Sequence, residues 1–132
     1  MNAHVRKRKR RQKFDPQLSM TEVMETIQRI GAIMHVLRGA EVKTLIFICG
    51  CTVIQGRQCI RLSYPDMRNG FDDHRGAHGG THLAEASLMA AVKSLTDYGV
   101  IIKHPANGAF PNGYEIDHAG LKRFAAKHTP AA

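Results

Sequence analysis

A chain of 132 residues suits one domain with a modest core, and its hydrophobic content of 43% is ordinary for a globular protein. It has no Trp and only 6% aromatic residues, so the core has to be mostly aliphatic. A net charge of +8 and a pI near 9.8 favour a polyanionic partner. The charge is concentrated at the N-terminus. Arg6, Lys7, Arg8, Lys9, Arg10, Arg11 and Lys13 are seven of the 19 cations, and the other 12 face all 11 acids, leaving +1. Residues 1–13 therefore read as a disordered basic tail and residues 14–132 as the folded part. No apolar signal region follows the tail, because Phe14-Asp15-Pro16-Gln17 comes next.

A first helix is expected from Ser19 to about Arg38, because Met20, Val23, Met24, Ile27, Ile30, Met34 and Leu37 recur at helical spacing, with Gly39 as its stop. Residues 40–54 carry β-branched residues that suit a buried strand, but the length and the Ala-Glu-Val-Lys opening favour a second helix ending at Gly56. Its Leu45–Ile54 run is the longest apolar stretch and too short to cross a bilayer. Cys59–Ser63 alternates as a short strand, and Tyr64–Asn69 forms a short helix with Pro65 in its first turn. Gly70–Gly80 holds four glycines and reads as a polar loop. A long helix over residues 82–98, opened by a polar cap, is stopped by Gly99. A strand, a loop over residues 104–113 and a second strand Gly113–Asp117 follow, and a last helix spans residues 118–128 with Leu121 and Phe124 as its apolar anchors.

This order of elements resembles the winged helix-turn-helix family over roughly residues 40–117. It is similar to small bacterial regulators of the multiple-antibiotic-resistance-regulator type and to winged-helix domains of phage and plasmid replication proteins. The piece with most detail is Val92-Lys93-Ser94-Leu95-Thr96-Asp97-Tyr98-Gly99-Val100-Ile101, which in the family ends the recognition helix and begins the wing. The resemblance implies an α+β fold with a short strand, a two-stranded wing and an extra N-terminal helix. It implies binding of double-stranded DNA and pairing of two copies through the terminal helices, whose apolar stripes a monomer would leave uncovered.

On that resemblance His82, Glu85, Ser87 and Lys93 would be exposed on the recognition helix, with Leu88, Val92 and Leu95 facing the core. Lys103, His104, Asn107 and Asn112 would serve the wing, and Arg6–Arg11 would neutralise phosphates without reading bases. The helix carries no Arg, Asn or Gln, the best bidentate base readers. A plain core helix, a plain Asn-Gly turn and a solubilising tail are the structural alternatives for these three features.

His74, His78 and His82 stand at four-residue spacing beside Asp72 and Asp73, but the intervening glycines argue against a shared helical face, so a loop is favoured over a metal site. The odd set Cys49, Cys51 and Cys59 argues against a disulfide framework and for a reduced, cytoplasmic setting, nucleoid-associated in a bacterium. No phosphate-binding glycine loop and no nucleophile motif stands in the sequence, so neither an enzyme nor a cofactor is expected. The leading expectation is a small DNA-binding regulator of transcription or replication. The alternative is a winged-helix protein-interaction module whose tail alone meets nucleic acid. A positive face joining Arg57, Arg61, Arg68, Arg75 and Lys93 would favour DNA, and a mixed or apolar face a protein partner.

Overall fold

The computed structural model describes residues 18–129, so the basic tail lies outside the described residues. Helix α1 is Met20–Ile33. Ser19 starts it with reciprocal bonds: Ser19 Oγ accepts from the Glu22 N–H at 3.1 Å, and Glu22 Oε1 accepts from the Ser19 N–H at 3.0 Å. The helix ends short of the expected Arg38. Met34–Val36 tightens into a 3₁₀ turn, and Leu37 is extended.

Helix α2, Gly39–Cys51, is opened by Gly39 where the sequence suggests a stop. The Arg38 N–H donates to Glu41 Oε1 at 2.9 Å, so the acid of the first turn fixes the entry. Thr44, Leu45, Phe47, Ile48, Cys49 and Cys51 are buried, which makes α2 the central helix and explains why its sequence has no polar face. Burial pushes the Cys49 and Cys51 thiols up to about 11, so both stay neutral. The helix gives out before the expected Gly56, where Thr52 Oγ1 donates back to the Ile48 carbonyl at 2.7 Å.

Strand β1 (Ile60–Arg61), helix α3 (Tyr64–Asn69), helix α4 (Glu85–Asp97) and strands β4 (Ile101–His104) and β5 (Gly113–Ile116) complete the central unit. Pro65 sits in the first turn of α3, capped by Ser63 Oγ accepting from the Asp66 N–H. The three-stranded antiparallel sheet has the order β1-β5-β4. Leu88, Val92 and Leu95 of α4 are buried with Leu45, Ile48, Val100, Ile101 and Tyr114. Gly99 takes φ +78° and turns the chain from α4 into β4.

Helix α5, His118–His128, packs along α1, burying Leu121 and Ala125 against a partner that buries Thr26, Ile30 and Ile33. Contrary to the expectation for both terminal helices, α5 turns its apolar side onto α1, while α1 still exposes Met20, Met24 and Ile27. The first turn of α5 lies so close to α4's exit that a Cβ on Gly120 would overlap the Gly99 carbonyl oxygen.

Residues 70–80 are a hairpin and not the expected loop. Strands β2 (Gly70–Asp73) and β3 (Gly76–Gly79) pair antiparallel around His74-Arg75. Phe71 stacks on His78 across the pair at 4.5 Å and meets Phe47 of α2 edge-on at 6.5 Å. The glycines that suggest a loop supply what a tight hairpin needs: Gly70 takes φ +92° and Gly76 φ +118°.

Asp73 anchors the hairpin. Arg57 Nη2 donates to its Oδ2 at 2.8 Å while Arg57 Nε donates to the Cys51 carbonyl, and Asp73 Oδ1 lies 3.0 Å from His78 Nε2 and accepts from the Arg75 N–H at 2.8 Å. Burial alone would raise this carboxyl, but the bonds from Arg57, Arg75 and His78 outweigh it and hold it well below the carboxylate range. A depressed folded-state value adds stability that is complete above the ordinary value near 3.8 and is lost as pH falls from there towards the folded one. Asp73→Asn should therefore lower the denaturation midpoint at pH 7 and change it much less at pH 2. An equal loss at both values would contradict the charge argument.

Candidate nucleic-acid interface

The outward face of α4 is the first part of the candidate surface. Glu85, Ala86, Ser87, Met89, Ala90, Lys93, Thr96 and Asp97 are exposed along it. Lys93 Nζ donates to Asp97 Oδ2 at 2.9 Å, and that hydrogen bond raises the lysine above its ordinary value. Ser87 is six residues from Lys93 and so lies about 120° around the helix. A shallow groove brings Lys93 together with Tyr64, Met89 and, from β4, Lys103. Ser87, His82 and Asn107 do not line it.

His82 lies three residues before α4, in the connector from β3, and the long helix starts later than expected. The Thr81 and His82 N–H groups donate to the Met67 and Arg68 carbonyls, both at 2.8 Å, and Arg68 Nε donates to the Leu83 carbonyl. These bonds hold the segment against α3, and His82 takes φ +58° with its side chain exposed. Ala84, without a side-chain cap, holds the N-cap position that the polar residues were expected to fill.

The loop after β4 is the second part. Residues 105–110 are exposed, Asn107 and Phe110 bridge antiparallel with N···O distances of 3.0 Å each way, and Gly108 takes φ +61° at the turn. Arg61 Nη1 closes the root, donating to the Pro111 carbonyl at 2.8 Å and the Pro105 carbonyl at 3.2 Å. Phe110, 65% exposed beside that turn, is a candidate contact residue that the sequence reading left out. Its signal is an aromatic between two Asn-Gly pairs, where turn chemistry alone asks for none.

Three of the other named cations are engaged within the fold. Arg57 is spent on Asp73, Arg61 on the loop carbonyls and Arg68 on Leu83. His74, His78 and His82 do not come together at metal-ligand spacing among the described residues, and His78 is stacked in the hairpin and bonded to Asp73.

At the root of the same loop, His104 Nε2 lies 2.7 Å from Glu115 Oε2, and the Cys59 thiol stands beside them. Burial, with Glu115 adding its charge, pushes that thiol up. Sequence reading left Cys59 and Glu115 out because positions 59, 104 and 115 meet only once β5 sits between β1 and β4.

No helix among the described residues is long and apolar enough to cross a membrane. Comparison of the chain with protein-family models, curated proteins and solved structures finds no match.

Proposed function

We propose that this chain is a winged helix-turn-helix protein that binds double-stranded DNA, a small cytoplasmic regulator of transcription or replication with no catalytic role. The observation that carries the reading is topological. Helix α2, β1, α3, α4 and the β4–β5 hairpin follow in the order of a winged helix, with β5 between β1 and β4 and the outer face of α4 uncovered. The β2–β3 hairpin is an insertion between α3 and α4.

In this arrangement α4 enters the major groove by its N-terminal half, where Ser87 and the preceding His82 are exposed. Lys93 and Lys103 meet phosphates, Lys93 exchanging Asp97 for the backbone. Asn107 and Phe110 follow the minor groove, where an exposed aromatic can wedge between base steps. Arg6–Arg11 add phosphate contacts. With no Arg, Asn or Gln on α4, phosphate contacts provide most of the affinity and sequence preference is shallow.

One observation favours a second reading, a protein-docking module. The outer face of α4 is mixed, with Ala86, Met89 and Ala90 beside the Lys93–Asp97 pair, and three of the arginines expected beside it are engaged elsewhere. A binding titration on duplex DNA, comparing the intact chain with variants of α4 and its connector, separates the two.

The chain also pairs as a homodimer in this proposal, though not through apolar faces on both terminal helices. Ile27, Ile30, Gly31, Met34, Ile46 and Ile54 line an apolar groove between α1 and α2, and of these Ile27, Met34, Ile46 and Ile54 are exposed. Ile54→Lys should convert a dimer to a monomer in sedimentation analysis. A wild-type chain that stays monomeric at high concentration would remove the pairing.

A further inference from the structure

Cys59, His104 and Glu115 meet on one face of the three-stranded sheet. Strand β5 is central: Gly113 pairs with Arg61 on one side and with His104 on the other, and Glu115 pairs with Ile102. Directly opposed residues point to the same face, and positions two apart share it, so His104 and Glu115 lie together with Gly113 between the strands. The missing side chain matters, since a Cβ on Gly113 would stand 3.1 Å from Cys59 Sγ and 3.3 Å from His104 Cβ. Glycine therefore leaves the space that thiol and imidazole occupy.

One donor atom from each of the three residues lies within 4.8 Å of the other two, and all three side chains are half-buried. We propose that this triad is a zinc site. A thiol, an imidazole and a carboxylate form a donor set that suits zinc and disfavours the hard cations magnesium and calcium. Zinc bonds of about 2.0 to 2.3 Å in a tetrahedron place donors about 3.3 to 3.6 Å apart. To admit the ion the His104–Glu115 hydrogen bond of 2.7 Å opens by a fraction of an ångström, and the Cys59 thiol, within 4.8 Å of both donors, gives up its proton and closes on the ion as thiolate. The other carboxylate oxygen, Glu115 Oε1, lies 3.5 Å from Gln58 Nε2, an outer partner that orients the ligand.

Three protein donors leave a fourth position for water or an exchangeable ligand. The ion would tie the chain before β1 to the end of β4 across β5, at the root of the loop that Arg61 already closes. None of this depends on the DNA reading, because the ligands and the test concern the metal alone.

The test is titration of the reduced full chain with Co2+, followed by displacement with Zn2+. The expected result is one tetrahedral cobalt per chain with a thiolate-to-cobalt charge-transfer band, abolished by zinc. Cys59→Ser should remove the band, Glu115→Gln should weaken zinc binding at least about tenfold, and His78→Ala should change neither. Absence of the band, its survival in Cys59→Ser or its loss in His78→Ala would overturn the assignment. A readout independent of folded variants is alkylation of the wild-type chain mapped by mass spectrometry. Cys49 and Cys51 are buried, so Cys59 is the accessible thiol, and zinc should protect it. Equal alkylation with and without zinc would also overturn the proposal.

Discussion

Leu95→Ala should destabilise the protein by about 2 to 5 kcal/mol, while Ser94→Ala one position earlier should cost little. Leu95 has no exposed surface and sits where α4 turns into β4, its carbonyl accepting from the Val100 N–H at 3.1 Å. In the same core are the buried Leu88, Val92, Val100, Ile101 and Tyr114, carried by α4, the turn after it and strands β4 and β5. Truncation removes buried methyl groups and leaves a cavity that these elements cannot close without moving together. Ser94 is half-buried and fills no such space. Denaturant unfolding of both variants, read as a shift of midpoint at constant slope, measures the difference. Equal losses at the two positions would mean that α4 presents a different face to the core.

Deleting residues 1–13 should flatten the salt dependence of nucleic-acid binding. Seven cations each engaging one phosphate correspond to a log–log slope change of about six units, and partial engagement of a tail makes about three the expected value. The described residues 18–129 carry nearly balanced charge and cannot replace it. Titrations over a range of salt concentration with full-length and truncated protein give the two slopes. An unchanged slope would put the phosphate contacts elsewhere.

Much of the architecture was legible because it rests on local rules. The 3.6-residue stripe of Leu88, Val92 and Leu95 marked α4, Gly99 its end, and Pro65 the first turn of α3. What failed was non-local. Gly70, Gly76, Gly79 and Gly80 suggested a loop because composition does not reveal that Phe71 will stack on His78 and lean on Phe47. The segment before α4 looked like a polar helix cap because nothing local shows its amides donating to α3 carbonyls.

The candidate site divides in the same way. Ser87, Lys93, Lys103 and Asn107 are exposed, as helix phase and turn chemistry led one to expect. The engagement of Arg57 and Arg61 was not legible, since their partners, Asp73 and two loop carbonyls, are distant in sequence. The Cys59–His104–Glu115 group is likewise a product of strand order, and no spacing along the chain encodes it.

The central claim is that α4 and its connector face a DNA duplex. Its most direct test is a titration of Lys93→Ala, Ser87→Ala, His82→Ala and the tail deletion against a selected duplex and a scrambled one. Lys93→Ala should weaken binding to both duplexes alike, because a phosphate contact carries no sequence information. Ser87→Ala or His82→Ala should change the preference between the duplexes by about 1 to 3 kcal/mol, the worth of a lost base contact. If all three leave both affinities unchanged while the tail deletion abolishes binding, α4 is not a DNA reader and its mixed surface is a protein-docking face.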